Sequence, residues 1–368
     1  MNESTIWVGM DVHAKTVVLA ELVGESREPL VREVPNDPRK LRETFGRLMK
    51  RGRVQACYEA GACGFEIQRM LDGMGVACQV VAPSLIPSKP GDRVKTDRRD
   101  AVKLVRLLRA DELTAIVVPT SDQEAARDLV RARDDLRRAR IAARHQLSKF
   151  LLRHGRHYTA GVAWTQKHGN WLKSQKFEQS LLCVTFDHYL SQLEYLDLRM
   201  AALDAEIAKL AKSPPFETRV AALTCLRGVS TLTAMILLTE LGDLRRFKTP
   251  RQLMSYVGIV PGERSSGESV RRTGITKTGN AHVRRALVEA AWGYRSARTT
   301  LGTRAASCVQ AQPREVASIA VKATTRLARR FGRLSARGKK PQVVVTAIAR
   351  ELCGFIWALG VAELPKAA

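Results

Sequence analysis

Apolar and polar positions alternate along residues 6–13. Ile6, Val8, Met10 and Val12 fall on one face of an extended chain, and Trp7, Gly9, Asp11 and His13 on the other. After a short polar break the run Val17-Val18-Leu19-Ala20 follows, so strands joined by tight turns are predicted over residues 6–23. Leu41, Phe45 and Leu48 recur at helical spacing and predict a helix over 38–51. A strand over 54–58, a helix over 64–75 stopped by Gly75, and a strand over 76–82 closed by Pro83 and Pro87 come next. Residues 96–110 read as a helix with Thr96 as N-cap and Ala101, Leu104, Val105 and Leu108 on one face. A short strand over 114–118 then ends at Pro119. A strand meander followed by alternating helices and strands predicts an α/β domain with a mixed sheet.

Beyond residue 120 the period changes. Leu129, Ala132, Leu136, Ala139 and Ala143 step by three and four, as do Leu193, Leu196, Met200, Leu203, Ile207 and Leu210. Such heptad seams predict a coiled coil. They fit either two helices packed within one chain or helices that pair protomers, and the second is the working expectation. Pro214-Pro215 breaks the second helix, and further helices are predicted over 281–298, 314–331 and 342–359. Three regions follow: an α/β domain at 1–120, a helical coiled-coil segment at 121–215, and a mainly α-helical domain at 216–368. Within the last, Leu226 to Leu241 resembles a helix-hairpin-helix element that offers backbone N–H groups to phosphates. Core packing of Met235, Ile236 and Leu238 explains the same helix equally well. The basic tract Arg329 to Lys340 reads as a solvated face.

Charge changes the picture more than bulk composition does. Hydrophobic residues make up 45% of the 368, as in an ordinary globular protein, but 61 Lys and Arg face 36 Asp and Glu, a net charge of +25. Such an excess attracts a polyanion, since each neutralised phosphate releases condensed counterions. The basic residues are spread along the chain instead of forming one juxtamembrane cluster, so no membrane partner is expected. No uninterrupted apolar stretch is long enough to span a bilayer. Seven scattered cysteines without a Cys-x-x-Cys pair fit reduced thiols and argue against zinc. The first residues have no basic and apolar leader pattern, so a cytoplasmic, nucleoid-associated protein is expected.

Four carboxylates carry the candidate chemistry. Asp11 lies mid-strand, and a buried carboxylate without a cation or donors is costly. Glu59 ends the strand Val54-Gln55-Ala56-Cys57-Tyr58. Asp97 and Asp100 are one helical turn apart at a helix start, on one face and near the positive end of the dipole. Two strand positions and a helix start suit a pair of hard cations, Mg2+ in the first place with Mn2+ able to substitute. Two such ions activate the attacking oxygen and stabilise the leaving one in phosphoryl transfer. Singly, Asp97 and Asp100 are also ordinary helix-start charges, and Glu59 an ordinary surface residue.

Gly9-Met10-Asp11-Val12-His13-Ala14-Lys15, Tyr58-Glu59-Ala60-Gly61 and Lys95-Thr96-Asp97-Arg98-Arg99-Asp100-Ala101 resemble the DEDD motif of transposases of the insertion-sequence one-ten (IS110) family and the related Piv DNA invertase. The resemblance continues through Leu226-Arg227-Gly228-Val229-Ser230, Gly242-Asp243, Phe247-Lys248, Tyr256-Val257-Gly258-Ile259-Val260-Pro261, Ser266-Gly267 and Lys277-Thr278-Gly279-Asn280. It implies a ribonuclease-H-like, RuvC-like catalytic domain with Asp11, Glu59, Asp97 and Asp100 as catalytic metal ligands. It also implies a serine nucleophile in the C-terminal domain. Ser266 matches that position, with Ser265 and Ser269 as neighbours that leave the choice open. From spacing alone the segment reads as a polar Ser/Gly loop. Arg264, Arg271, Arg272 and Lys277 around it, and Lys15, Arg98 and Arg99 around the carboxylates, are candidate nucleic-acid contacts. The implied partners are donor and target double-stranded DNA, a structured guide (bridge) RNA encoded by the element, and further copies of the chain as a dimer or tetramer. Only Tyr158, Trp164 and Trp171 offer Trp or Tyr rings for base stacking in the basic 122–185 stretch. Two other classes compete. A RuvC-like structure-specific DNA endonuclease would share the carboxylates without needing Ser266, and a non-catalytic nucleic-acid-binding protein would use them structurally.

Overall fold

Strand β1 (Ile6–Val12) is the axis of the N-terminal unit. It pairs antiparallel with β2 (Thr16–Val23), which pairs antiparallel with β3 (Leu30–Pro35). On its other edge β1 runs parallel to β4 (Val54–Glu59), and β4 parallel to β5 (Ala77–Val81), giving the order β3-β2-β1-β4-β5. The computed structural model describes residues 4–87, 96–266, 269–296, 299–301 and 303–363. It divides into two compact units, Met1–Pro119 and Thr120–Ala368.

The alternation along β1 decides what covers each face of the sheet. Ile6, Val8 and Met10 are buried with Leu41, Phe45 and Leu48 of α1 (Pro38–Met49) and with Ile67 and Leu71 of α2 (Glu66–Gly73). Asp37 caps α1 by accepting from the N–H groups of Arg39 and Lys40, and Pro38 opens the helix where no donor is needed. The opposite face is covered by α3 (Asp97–Arg109). Its Ala101 and Val105 pack on Val18, Ala20 and Leu22, with Trp7 at the margin. Trp7, Gly9 and Asp11 therefore point toward α3. The predicted strand over 114–118 is reduced to one bridge, Ala115 to Val81, because Pro119 ends the segment just beyond it. β3 was not predicted. Its residues LVREVP are half-exposed at the sheet edge and carry no clean alternation.

The second unit opens on α4 (Ser121–Arg153), started by a capping box between Thr120 and Gln123. It continues through α5 (Gln166–Lys173), α6 (Ser180–Leu210), α7 (Glu217–Thr224), α8 (Thr231–Leu241) and α9 (Pro250–Val257). The hairpin β6 (Pro261–Ser266) and β7 (Ser269–Ile275) leads into α10 (Ala281–Trp292), α11 (Thr303–Gln310), α12 (Arg314–Ala336) and α13 (Pro341–Val361). The heptad seams pack in part inside the chain, with Ala132 and Ala139 left exposed. α4 and α6 lie antiparallel, tied by ion pairs from Arg133 to Asp204 and from Arg140 to Asp197. Ile207 is buried with Ala126 and Val130, and Leu193 and Leu196 with Ala143, Leu147 and Phe150. Antiparallel packing of two amphipathic helices covers the same a/d stripe that a partner protomer would. Tyr158, Trp164 and Trp171 are likewise engaged among themselves. All three rings stand 4.7–5.5 Å from His168, and the Arg144 guanidinium lies over Trp164.

α13 is long and apolar enough to cross a membrane by length and composition. Its apolar residues, Val344, Val345, Ile348, Leu352, Ile356 and Leu359, are core of this unit, and Arg350 and Glu351 interrupt its middle. Gly228 ends the α7–α8 turn with φ 80°, and a Cβ there would meet the Ala290 carbonyl oxygen at 2.1 Å. Close packing on α10 gives this glycine a structural role of its own.

Candidate active site

α3 approaches β1 so closely that a Cβ on Gly9 would meet the Ala101 oxygen and the Val105 nitrogen, each at 2.4 Å. Two residues along β1 stands Asp11, and one turn before Ala101 begins the helix that carries Asp97 and Asp100. Thr96 caps that helix by accepting from the Arg99 N–H at 3.3 Å, as its sequence position predicts. Backbone contact at Gly9 thus brings the strand carboxylate and the helix-start carboxylates to one place.

The imidazole of His13 sits between two of them. Its Nε2 lies 3.4 Å from Asp11 Oδ2 and 3.3 Å from Asp97 Oδ2. His13 is held by the turn between β1 and β2: its N–H donates to the Thr16 carbonyl, and Asn36 Nδ2 donates to the His13 carbonyl at 2.7 Å. Asp11, His13 and Asp97 each offer a ligand atom within 4.8 Å of the other two. Burial holds the Asp11 carboxyl above its ordinary value, and the nearby charges of Asp97 and Asp100 push it the same way. His13 opposes them. Oxygen donors crowded in this way suit a hard divalent cation, which would relieve the repulsion that raises Asp11. Sequence reasoning placed His13 on the right face but gave it no role. Histidine beside an aspartate on one strand face was the available signal.

Glu59 closes β4, the parallel neighbour of β1, at the strand end next to Asp11. Glu59 and Asp100 lie outside the 4.8 Å set formed by Asp11, His13 and Asp97. Lys15 is exposed in the β1–β2 turn, and Arg98 and Arg99 are exposed in the first turn of α3, so three cations rim the carboxylates. Lys95 lies outside the described residues.

Ser266 belongs to the second unit, at the end of β6, where its backbone pairs with Ser269 of β7. Its side chain and that of Arg272, and Gly267, lie outside the described residues. Ser265 and Ser266 therefore lie at the end of β6 in a β-hairpin. Ser265 donates its hydroxyl to Glu263 Oε1 at 2.7 Å, which puts a proton-accepting carboxylate on this hairpin. Arg264 and Arg271 are exposed partners across it. The hairpin base is fixed by backbone: Thr276 N–H donates to Val260 O, and Lys277 N–H, from a left-handed φ of 59°, to Gly258 O. Gly258 and Gly279 allow this closure, since a Cβ on Gly258 would lie 1.9 Å from the Thr278 carbonyl oxygen and one on Gly279 1.9 Å from that of Tyr256 in α9.

Below the hairpin lies a buried charge network that sequence patterning did not reveal. Glu240 of α8, almost wholly buried, accepts two hydrogen bonds from Arg131 of α4, at 2.7 and 2.9 Å, and one from Asn280 at 2.7 Å. Burial works to raise its carboxyl, but these donors outweigh it and hold the carboxyl below the ordinary range. Asn280 also caps α10 through Val283 N–H. One residue thus joins the hairpin's exit to α8 and, through Glu240, to α4.

Two family models match the chain. One, described as a transposase with the DEDD signature, covers residues 8–155, and the IS116/IS110/IS902 transposase family covers 220–306. The protein y4qE of Sinorhizobium fredii, named as a transposase, is 48% identical over 83% of this chain and 75% of its own length. The transposase of insertion sequence IS1533 from Leptospira borgpetersenii is 33% identical over 91% of this chain and 98% of its own. This chain belongs to the IS110 family of transposases. This transposase is accordingly an enzyme that acts on DNA, and its family carries divalent-metal dependence with the DEDD signature. Asp11, Glu59, Asp97 and Asp100 fall within the first matched region, and Ser266 within the second.

Proposed function

We propose that this transposase cuts and exchanges DNA strands with a metal centre built on Asp11, Glu59, Asp97 and Asp100 and a serine nucleophile, Ser266. The observation that carries the reading is the gathering of Asp11 and Asp97, from a central strand and a helix start, around His13. The strand order β3-β2-β1-β4-β5, with three antiparallel and then parallel neighbours and the first aspartate on β1, supports a ribonuclease-H-like, RuvC-like domain. Bound there, Mg2+, or Mn2+ in its place, would supply Lewis-acid stabilisation of charge at the reacting phosphate. His13 orients Asp11 and Asp97, while Lys15, Arg98 and Arg99 hold the strand by its phosphates.

In the proposed exchange, Ser266 Oγ bonds to the phosphorus as the bond to one DNA end breaks. The serine loses its proton and the departing DNA oxygen gains one. The hydroxyl of a second DNA end then displaces Oγ, so one phosphodiester is made for each broken. Arg264, Arg271, Arg272 and Lys277 steady the phosphate. Ser265 is the second candidate, since its hydroxyl already donates to Glu263. A structured guide RNA and self-association into a dimer or tetramer complete the reading, supported by the net charge of +25 and by the need to pair DNA ends. Trapping on a nicked duplex, followed by denaturing electrophoresis and peptide mapping, tests it. The parent should form a protein–DNA adduct at Ser266, and Ser266→Ala should bind DNA yet form neither adduct nor recombinant. Recombination by Ser266→Ala, with no adduct in the parent, would leave a nuclease-type metal centre alone.

A further inference from the structure

α12 carries a row of cations that neither the carboxylate centre nor the serine hairpin uses. Lys322, Arg326, Arg329 and Arg333, with Arg337 at the C-cap, recur every three or four residues and are all exposed. The opposite face of the helix, including Val316, Ala320, Ala323, Leu327 and Phe331, is locked into the core. The row is therefore straight and cannot rotate away, and it runs about 22 Å at 1.5 Å per residue. The first four cations of the row, Lys322 to Arg333, with Arg330, Val321, Thr325 and Phe355 of α13, line a groove of about 690 Å³.

Charge compensation in the groove is partial. No Asp or Glu occurs between Glu315 and Glu351. Glu351, itself only 15% exposed, pairs with Arg326 at 2.7 Å and Arg330 at 2.5 Å and so pins two guanidiniums against α13. Among the described residues no carboxylate pairs with Lys322, Arg329 or Arg333. Like charges at helical spacing repel, so a ligand that brings regularly spaced negative charge would stabilise the row. Phe355 is the groove's single aromatic ring and is partly buried against the core, so no platform for unstacked bases is present. That leaves the sugar-phosphate backbone as the recognised feature, and a straight rigid row suits a straight duplex.

We propose that the α12–α13 groove is a docking track for the backbone of duplex DNA, formed by elements outside the catalytic hairpin. The proposal rests on the transposase reading only in taking DNA as the polyanion. The test uses the full-length protein, fluorescence anisotropy and a salt series, with a random-sequence DNA duplex and an RNA hairpin of equal length as probes. The variant Lys322→Gln/Arg329→Gln/Arg333→Gln removes the three cations of the row that line the groove without a carboxylate partner. A charge-matched control, Lys167→Gln/Lys209→Gln/Lys212→Gln, removes three exposed lysines elsewhere in the same unit. Expected for the groove variant is a slope of log affinity against log salt that is shallower by about 2.7, at about 0.9 per phosphate contact. Duplex affinity should fall at least tenfold, with a far smaller change in the control and unchanged melting for both. Equal losses in the two variants, or a loss confined to the RNA hairpin, would overturn the track. Failure of the parent to bind duplex DNA at all would overturn the transposase reading as well, and is distinguished by that parental measurement.

Discussion

Gly9→Ala is the most informative single change in the N-terminal unit. The added Cβ would sit 2.4 Å from the Ala101 oxygen and 2.4 Å from the Val105 nitrogen, whereas ordinary contact begins at 3.4 Å. Both obstacles are helix backbone, so no side chain can swing aside, and α3 must withdraw by about 1 Å. Ala101 and Val105 would then lose part of their packing on Val18, Ala20 and Leu22, at a cost of about 1–3 kcal/mol for an overpacked core. The larger effect is geometric. Asp97 and Asp100 travel with α3 while Asp11 stays on β1, and a misplacement of about 1 Å in a reacting constellation costs about 100-fold in rate. Melting in EDTA, calorimetric titration with Mn2+ and strand cleavage at a temperature where both proteins are folded would separate the two effects. Gly9→Ala should remain folded, bind Mn2+ more weakly and cleave about 100-fold more slowly. Parental Mn2+ affinity and cleavage in a folded Gly9→Ala protein would refute the idea that contact at Gly9 sets the site.

Asp11 makes the unit's metal-free stability pH-dependent. Its carboxyl is raised from 3.8 in the folded state, chiefly by burial, so the stabilisation from its protonated form is full below about pH 3.8 and is lost as pH rises through the raised value. Melting in EDTA across that range should fall less steeply for Asp11→Asn than for the parent, and a parallel fall would contradict this. Arg131→Met should leave Glu240 buried with Asn280 alone. A loss near the lower end of roughly 3–5 kcal/mol is expected in chemical denaturation, because Arg131 is itself 45% exposed, and Glu240→Gln/Arg131→Met should recover part of it. Ile207→Asp should unfold the α4–α6 pair instead of merely dissociating protomers, since Ile207 is buried within its own chain; sedimentation of a folded, smaller particle would reverse that assignment.

The N-terminal unit was largely legible because its two periods are written in strong residues. The alternation of Ile6, Val8 and Met10 with Trp7, Gly9 and Asp11 specified both faces of β1, and Thr96 announced the start of α3. β3 escaped because an edge strand half in solvent has no need of alternation. The heptads of α4 and α6 were visible, but period alone does not say which helix fills the seam; the ion pairs to Asp204 and Asp197 that bind the two together are long-range facts. The carboxylates stood out through a family motif, whereas His13, though within that motif and on the face of Asp11, was given no role because alternation alone does not show that it reaches Asp97. The pairing of Glu240 with Asn280 was invisible because 40 residues separate them, and only the fold makes them partners.

The α4–α6 pair has two separate apolar contents. Its root, with Ala126, Val130 and Ile207, is part of the large C-terminal core, while Ala143, Leu147, Phe150, Phe186 and Leu193 form a second cluster beyond it, with Leu172 of α5. Everything in that outer cluster comes from one continuous stretch of chain. Mechanically this is an arm clamped at one end. From Arg131 to its end at Arg153, α4 reaches about 33 Å at 1.5 Å per residue, so a tilt of about 9° at the root sweeps the tip through about 5 Å. Small rearrangements around Arg131 and Glu240, at the clamp, are therefore magnified into displacements of the order of a helical turn at the far end, with no change inside the tip itself.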